Sequence, residues 1–262
     1  MRLGSHFPRA TGALFREFDR IDVFTREIAA LRKDEDLAHA LTEIARDMGF
    51  RYFALTHHLD VKVAASPNVR LHNYPPDWVR YFDDNALGPS DPVHRATHMT
   101  SVGFPWSELS RLIPLSARDE DILERAAARG VGEGFTVPVH VPGEAHGSCS
   151  FATAHGQALD AGQFAAAQLV GAFAFEAARR IACMRRPLAE RPMLTDRQRD
   201  CVLWAARGKS DWEIAQILGV SHETVIRHLK LARERYDVSR RSQLMAHALY
   251  DGAIGFADIF DR

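Results

Sequence analysis

Apolar residues recur at helical intervals near the start of the chain: Leu14, Phe18, Ile21, Ile28 and Leu31, then Leu37, Leu41, Ile44 and Met48 before Gly49. That spacing predicts two amphipathic helices, the first over residues 13–31 and the second stopped by the glycine. The period then changes. Residues 50–58 are rich in aromatic and β-tending side chains and read as a strand, with Ser66-Pro67-Asn68 as a turn signal and residues 69–74 as a pairing strand. Alternation along the first strand places Tyr52, Ala54 and Thr56 on one face.

Further along, Pro75-Pro76 predicts a helix through Asn85, because proline is tolerated where the first amides have no partner. A short helix is expected near Asp91-Pro92, and Ser116 with Asp119 resembles an acidic capping box for a helix to Arg129, closed by Gly130. Residues 135–141 and 148–154 read as two strands joined across Pro142-Gly143. Asp160 then caps a long helix to Met184, with Phe164, Gly171, Phe175, Ala178 and Ile181 on one side. Helices come first and strand pairs are well separated, without regular βαβ alternation. A doubly wound parallel sheet fits that order poorly. The expected class is α+β, an antiparallel sheet flanked by helices (an α-β-α sandwich), followed by an all-α unit.

The stretch 185–193, RRPLAERPM, has prolines, charges and no periodicity, and reads as a linker between a domain over 1–184 and one over 194–262. Beyond it every signal is helical. Thr195 with Gln198 and Ser210 with Glu213 form capping-box pairs, Gly208 ends the first helix, Ser221 caps the third, and Gly252 closes a fourth that begins near Arg241. Between Ser210 and Tyr236 the pattern is helix, tight turn at Gly219, helix. Ile214, Ala215, Leu218, Val225 and Leu229 supply the facing apolar contacts, and His222, Glu223, Ile226, Arg227 and Lys230 point away. In a helix-turn-helix the early residues of the second helix meet base edges while neighbouring cations neutralise phosphates. Glu223, Ile226, Arg227 and Lys230 are therefore candidates for bases, and Lys209, Thr224 and Arg233 for the backbone. The plainer alternative is a helical hairpin whose charged face is simply solvated.

Composition changes this picture little. With 46% hydrophobic and 26% charged residues among 262, the chain is an ordinary globular one of about two domains. The net charge of -1 does not advertise nucleic-acid binding. Between Arg197 and Arg241, however, ten Lys and Arg stand against six Asp and Glu. Cys149, Cys183 and Cys201 fit no metal or redox spacing and read as small buried hydrophobes. No charged-then-apolar leader and no bilayer-length apolar run is present, so a cytoplasmic location without a membrane partner is expected. Neither a metal nor a cofactor is expected, since the adjacent His57 and His58 point to opposite faces of a strand. Ser150, His155 and Asp160 could be drawn as a hydrolase triad, but 147-GSCS-150 lacks the nucleophile-elbow pattern, and no enzymatic activity is expected.

The register of residues 194–243 resembles the DNA-binding domain of LuxR-type regulators: the LT-x-R opening, Gly-Lys, Trp-Glu-Ile-Ala, Thr-Val-x-x-His and the terminal Ser-Arg. Gln198 stands where that family usually has Glu and keeps the capping role. The stretch 73-NYPPDWVRYFDDNALGPSDPVHRATHMTSVGFPW-106, with 130-GVGEGFTVPVH-140 and 147-GSCS-150, resembles the signal-binding core of the quorum-sensing branch, which takes N-acyl-homoserine lactones. Such a ligand offers one amide N–H, carbonyl acceptors and an apolar tail, so its pocket needs an acceptor and several donors among apolar walls. The Trp78 indole suits the lactone carbonyl, and Asp91 suits the amide N–H. Tyr74, placed one helical turn before Trp78, and Ser150 can donate to the amide or 3-position carbonyl, while Trp106 would wall the ring by packing. Ala54 and Thr56 would border the tail. The resemblance implies that these positions contact ligand and gives Gly134 a structural role. Phe82 departs from it, standing where the family has Tyr, which opens the question of an altered ligand. Taken singly, Trp78 and Trp106 could be core aromatics and Asp91 a helix cap. The resemblance implies a ligand-responsive transcriptional regulator whose partners are double-stranded DNA at an inverted repeat, a second copy of the chain, and RNA polymerase. Candidate dimer surfaces are the helix from Asp160 and the last helix, with Leu244, Ala248 and Leu249. The alternatives are an orphan receptor for another small molecule, or one that folds without ligand, and a non-DNA-binding enzyme or ligand-binding module.

Overall fold

A computed structural model describes residues 12–58, 68–142, 144–182 and 192–260. They divide into two compact units, the first holding every strand and the helices before residue 183, the second the helices from Asp196 onward. The amino-terminal extension, the turn at Ser66-Pro67, Gly143, Cys183 and residues 185–191 of the expected linker lie outside the described residues.

In the first unit, helices α1 (Gly12–Ala30) and α2 (Asp34–Asp47) precede strands β1 (Tyr52–His57) and β2 (Arg70–His72). Helix α3 (Pro76–Asp84), a single 3-10 turn, α4 (Pro92–Thr97), a two-residue strand β3 (Phe104–Pro105), α5 (Leu109–Leu112) and α6 (Ala117–Ala128) follow. Strands β4 (Val131–Val139) and β5 (Gly147–Ala154) and helix α7 (Phe164–Ile181) complete it. The sheet has order β2-β1-β5-β4-β3 with every pair antiparallel.

Strand alternation decides which residues go where. Phe53, Leu55, Cys149, Phe151, Phe135 and Val137 face α1, α2 and α7 in one continuous core. The opposite face carries rows across the sheet, His72, Ala54, Ser150 and Thr136 in one and Arg70, Thr56, Ser148 and Pro138 in the next. Helices α3 to α6 cover that second face, so the sheet is the middle layer of a sandwich. The capping box of Ser116 and Asp119 forms as expected. Arg95 donates to Asp119 Oδ1 at 2.7 Å, tying α4 to α6. Against the burial that opposes it, this bond and those from Ser116 hold the Asp119 carboxyl below its ordinary range.

Several boundaries differ from the sequence reading. β4 begins at Val131, before Phe135, because the glycine-rich 130–134 stretch pairs with β5 through an irregular register despite its poor strand composition. β3 is too short to leave a periodic signal. Tyr74 lies ahead of α3 instead of one turn before Trp78 within it. Asp160 caps a 3-10 turn at the Gly162 amide, and α7 proper starts at Phe164. Cys149 is buried as expected, and burial pushes its thiol well up.

The second unit packs α8 (Asp196–Ala206), α9 (Asp211–Leu218), α10 (His222–Arg235) and α11 (Arg241–Tyr250) around Val202, Ile214, Val225, Leu229 and Leu244. Cys201 joins this core. A fifth helix, α12 (Phe256–Phe260), extends the expected four. Leu244 and Ala248 are fully buried and Leu249 partly so, because α11 turns this side inward. Leu244 and Ala248 belong to the unit's own core, and only the partly buried Leu249 of the three reaches the surface. On α7, Gly171, Phe175 and Ala178 are likewise spent on the core, leaving Phe173 half exposed on the outer side.

Gly171 lets α7 lie close to the sheet: a Cβ there would meet Val137 Cγ2 at 3.0 Å and Cys149 Cβ at 3.1 Å. Gly171→Leu should therefore destabilise the first unit by about 1–3 kcal/mol through overpacking. An unchanged midpoint in thermal unfolding would show that the helix does not need this approach.

Candidate functional site

The polar second face of the sheet and helices α3, α4 and α6 enclose a cavity of about 230 Å³. All eight side chains singled out in the sequence for a small molecule line it: Ala54, Thr56, Tyr74, Trp78, Phe82, Asp91, Trp106 and Ser150. Trp78 is buried on α3, where its ring meets Phe82 edge-on at 5.7 Å between centroids. Burial pushes the Tyr74 phenol well up, and Asp91 adds to this, so the hydroxyl remains a donor. Asp91 is both things the sequence offered. Its Oδ1 caps α4 by accepting from the Val93 amide at 2.8 Å, and its Oδ2 stands 3.7 Å from His94 Nε2.

Trp106 does more than pack. Its indole Nε1–H donates to Thr136 Oγ1 at 2.8 Å, and that hydroxyl is 2.8 Å from Ser150 Oγ. With the indole N–H directed at Thr136, the Thr136 hydroxyl can donate its hydrogen bond to Ser150 Oγ, leaving the Ser150 hydroxyl to donate into the cavity. Gly134 is required beside this relay, since a Cβ there would fall 2.4 Å from Trp106 Cε2. Its expected structural role thus has a concrete cause.

Sequence reasoning missed Thr136, although the register Thr136↔Ser150 makes it the cross-strand neighbour of a singled-out residue. It also missed Arg70, His72, Asp83 and His94, which share the lining. Arg70 Nη2 bonds both oxygens of Asp83, at 2.6 and 2.7 Å, linking β2 to α3 at the cavity edge. Nδ1 of His72 is buried without a hydrogen-bond partner among the described residues. Their signal lies in the alternation of the 69–74 strand, which puts Arg70 and His72 on the same face as Tyr74. His57 and His58 do point to opposite faces: His57 meets Phe175 edge-on, while His58 stacks on His94.

In the second unit, α9 ends at Gly219 with φ 65°, a left-handed turn that glycine makes at little cost. The three expected caps form: Thr195 with Gln198, Ser210 with Glu213, and the Ser221 hydroxyl accepting from the Thr224 amide. The Ser221 cap starts α10 at His222. Val225 and Leu229 are buried, while His222, Glu223, Ile226, Arg227 and Lys230 are exposed along one side and Thr224 and Arg233 flank it half-buried. Ile226, 43% exposed, is an apolar residue left outside the core. Lys230 and Lys209 sit one helical turn from Glu234 and Glu213, at 3.9 and 3.5 Å. These exposed pairs are weak, so both cations remain available to an anionic partner. Arg241 donates to the Lys209 carbonyl at 2.6 Å and pairs with Asp211, holding the start of α9 in place.

Comparison with known proteins adds a family likeness to this geometry. The model of the autoinducer binding domain matches residues 33–181, and that of bacterial regulatory proteins of the luxR family matches residues 192–248. The transcriptional activator LuxR of Aliivibrio fischeri is 26% identical over 245 residues, covering 87% of this chain and 92% of that one. The quorum sensing-dependent regulator RpaR of Rhodopseudomonas palustris is 32% identical over 195 residues, covering 73% and 77%. Among solved structures, Escherichia coli SdiA superposes with a TM-score of 0.64 at 22% identity, covering 90% of this chain and 98% of that one. Among the described residues, no helix is long and apolar enough to cross a membrane.

The relay is open to a direct check. Thr136→Val keeps the shape but removes the hydroxyl shared by Trp106 and Ser150, which should cost about 1–3 kcal/mol. Thr136→Ser should restore most of the loss in thermal unfolding. Equal stability of all three proteins would mean that the relay carries no weight.

Proposed function

The chain belongs to the LuxR family of transcriptional regulators, with an autoinducer-binding domain and a helix-turn-helix DNA-binding domain, and from that premise we propose that its signal is an N-acyl-homoserine lactone. One observation supports this reading above others: a single cavity gathers Trp78, Tyr74 and Ser150 as donors and Asp91 as acceptor, among the apolar walls of Val79, Phe82, Leu87, Trp106, Ile122 and Val131. That is the complement of a head with one amide N–H and several carbonyls. In this reading Trp78 donates to the lactone carbonyl, Asp91 accepts from the amide, and Tyr74 and Ser150 donate to the acyl oxygens. Ala54, Thr56 and Phe82 border the tail. A cavity of about 230 Å³ lies below the range of about 300–1,000 Å³ common for drug-sized ligands, which favours a short tail.

A ligand that binds only the folded form stabilises it by mass action, raising the amount of protein able to bind DNA. The DNA-facing residues in this proposal are Glu223, Ile226, Arg227 and Lys230 for base edges, with His222 beside them, and Lys209, Thr224 and Arg233 for phosphates. A homodimer on an inverted repeat follows from two-fold symmetry. RNA polymerase is the partner through which such a regulator would act in the cytoplasm. Phe82 at the cavity wall favours one second reading, a non-lactone acyl ligand, because no hydroxyl is offered there. Mass spectrometry of small molecules that co-purify with the full chain separates the two.

Two substitutions test the halves separately. Trp78→Phe deletes the indole N–H while keeping most of the ring, and should raise the half-saturating lactone concentration about tenfold; an unchanged dose-response sinks the pose. Lys230→Ala in the full chain, measured on an operator selected from random DNA, should weaken binding across sequences if it meets a phosphate, lowering the salt slope by about one. If it reads a base, discrimination at one position falls instead, and no effect of either kind removes Lys230 from the interface.

A further inference from the structure

His94 is a cavity-lining group next to Asp91 that the proposed lactone pose leaves unused. Its ring is held by two aromatic neighbours and at one nitrogen. His58 stacks on it with centroids 3.9 Å apart and planes 15° from parallel, and Phe82 meets it edge-on at 6.0 Å. His58 is anchored in turn, its Nε2 lying 2.9 Å from Ser148 Oγ. Burial, followed by the neighbouring histidines, holds the His58 imidazole well below its ordinary range, so the stack has a neutral inner member.

The third restraint determines the proton. His94 Nδ1 lies 3.1 Å from the Gly88 carbonyl oxygen, which can only accept, so Nδ1 carries a hydrogen and neutral His94 presents a lone pair at Nε2. That lone pair stands 3.7 Å from Asp91 Oδ2, whose sister oxygen is occupied by the Val93 amide. In that tautomer two acceptors face each other on the cavity wall. An amide brings one N–H and can satisfy one of them.

We propose that His94 is a specificity-determining residue that accepts a second hydrogen bond from the ligand, so that the preferred signal carries a hydroxyl near its amide, on the third carbon of the acyl chain. The inference rests on the acyl-homoserine lactone reading. The amide N–H goes to Asp91 Oδ2 and the hydroxyl to His94 Nε2. A 3-oxo carbonyl would set a third acceptor against this pair, and an unsubstituted chain would leave Nε2 facing a methylene.

The test uses the full chain and three lactones of one chain length, 3-hydroxy, 3-oxo and unsubstituted. The readout is the half-saturating concentration for soluble yield on expression, or for thermal stabilisation where the chain is soluble alone. The 3-hydroxy compound should be favoured by about three- to tenfold, the worth of one neutral hydrogen bond. His94→Phe, which keeps a planar ring for the stack, and His94→Ala should both erase that preference, the half-saturating concentration for the 3-hydroxy compound rising to match that for the unsubstituted one. Preference for the 3-oxo lactone overturns the inference, since it would mean an imidazolium donating from Nε2. Equal response to all three compounds overturns it as well and leaves the lactone reading intact. Saturation by none of them removes the lactone reading itself. If both variants fail to fold, the ranking by the unaltered chain still decides.

Discussion

Strand β5 lies at the centre of the sheet, buried on both faces, and the first unit is arranged around that constraint. Every second residue, Cys149 and Phe151 among them, must suit an apolar core shared with α1, α2 and α7. The residues between, Ser148 and Ser150, are polar and equally buried. A buried hydroxyl needs a partner. His58 provides one for Ser148 and Thr136 one for Ser150, and each partner brings a ring with it, His94 by stacking on His58 and Trp106 by donating to Thr136. The wall of the cavity is thus a consequence of satisfying two serines in the middle of a sheet.

The same economy appears at Asp91. One carboxylate oxygen ends the backbone accounting of α4, which orients the side chain, and the other is left facing the cavity. Capping and recognition are often set against each other when an Asp-Pro step is read. Here the cap is what points the second oxygen, so removing the side chain would disturb both the helix start and the polar site. The Arg70–Asp83 pair plays a comparable part at the cavity edge, joining strand to helix.

The second unit solves a simpler problem. Its helices are short, and each of the first three opens on a serine or threonine cap that sets where the helix begins. Since phase follows from the starting point, the caps decide that Val225 and Leu229 go in and that Arg227 and Lys230 stay out. The display of these cations along α10 then depends on the Ser221 cap as well as on the apolar stripe beneath it. Trp212, 61% exposed, and Ile226 remain apolar on the surface of this unit.

Much of this was legible without a structure. Alternation in β1 placed Ala54 and Thr56 on the cavity face, capping pairs marked the helix starts, and the order of motifs identified the residues that line one cavity. These signals are local, carried by neighbours within a turn or a strand. The glycine-rich start of β4, the two-residue β3 and the fifth terminal helix were not legible, because pairing and packing overrode weak local preference. Nor were the roles of Thr136 and His94: each depends on partners far along the chain, Ser150 and Trp106 for one, Gly88, Asp91 and His58 for the other. The burial of Leu244 and Ala248 was hidden for the same reason, since an apolar stripe looks alike whether a partner chain or the domain itself covers it. Periodicity and motif order thus determined which residues could meet, and only the tertiary structure decided which atoms do, because hydrogen-bond satisfaction and close packing are set across strands and helices that sequence spacing does not relate.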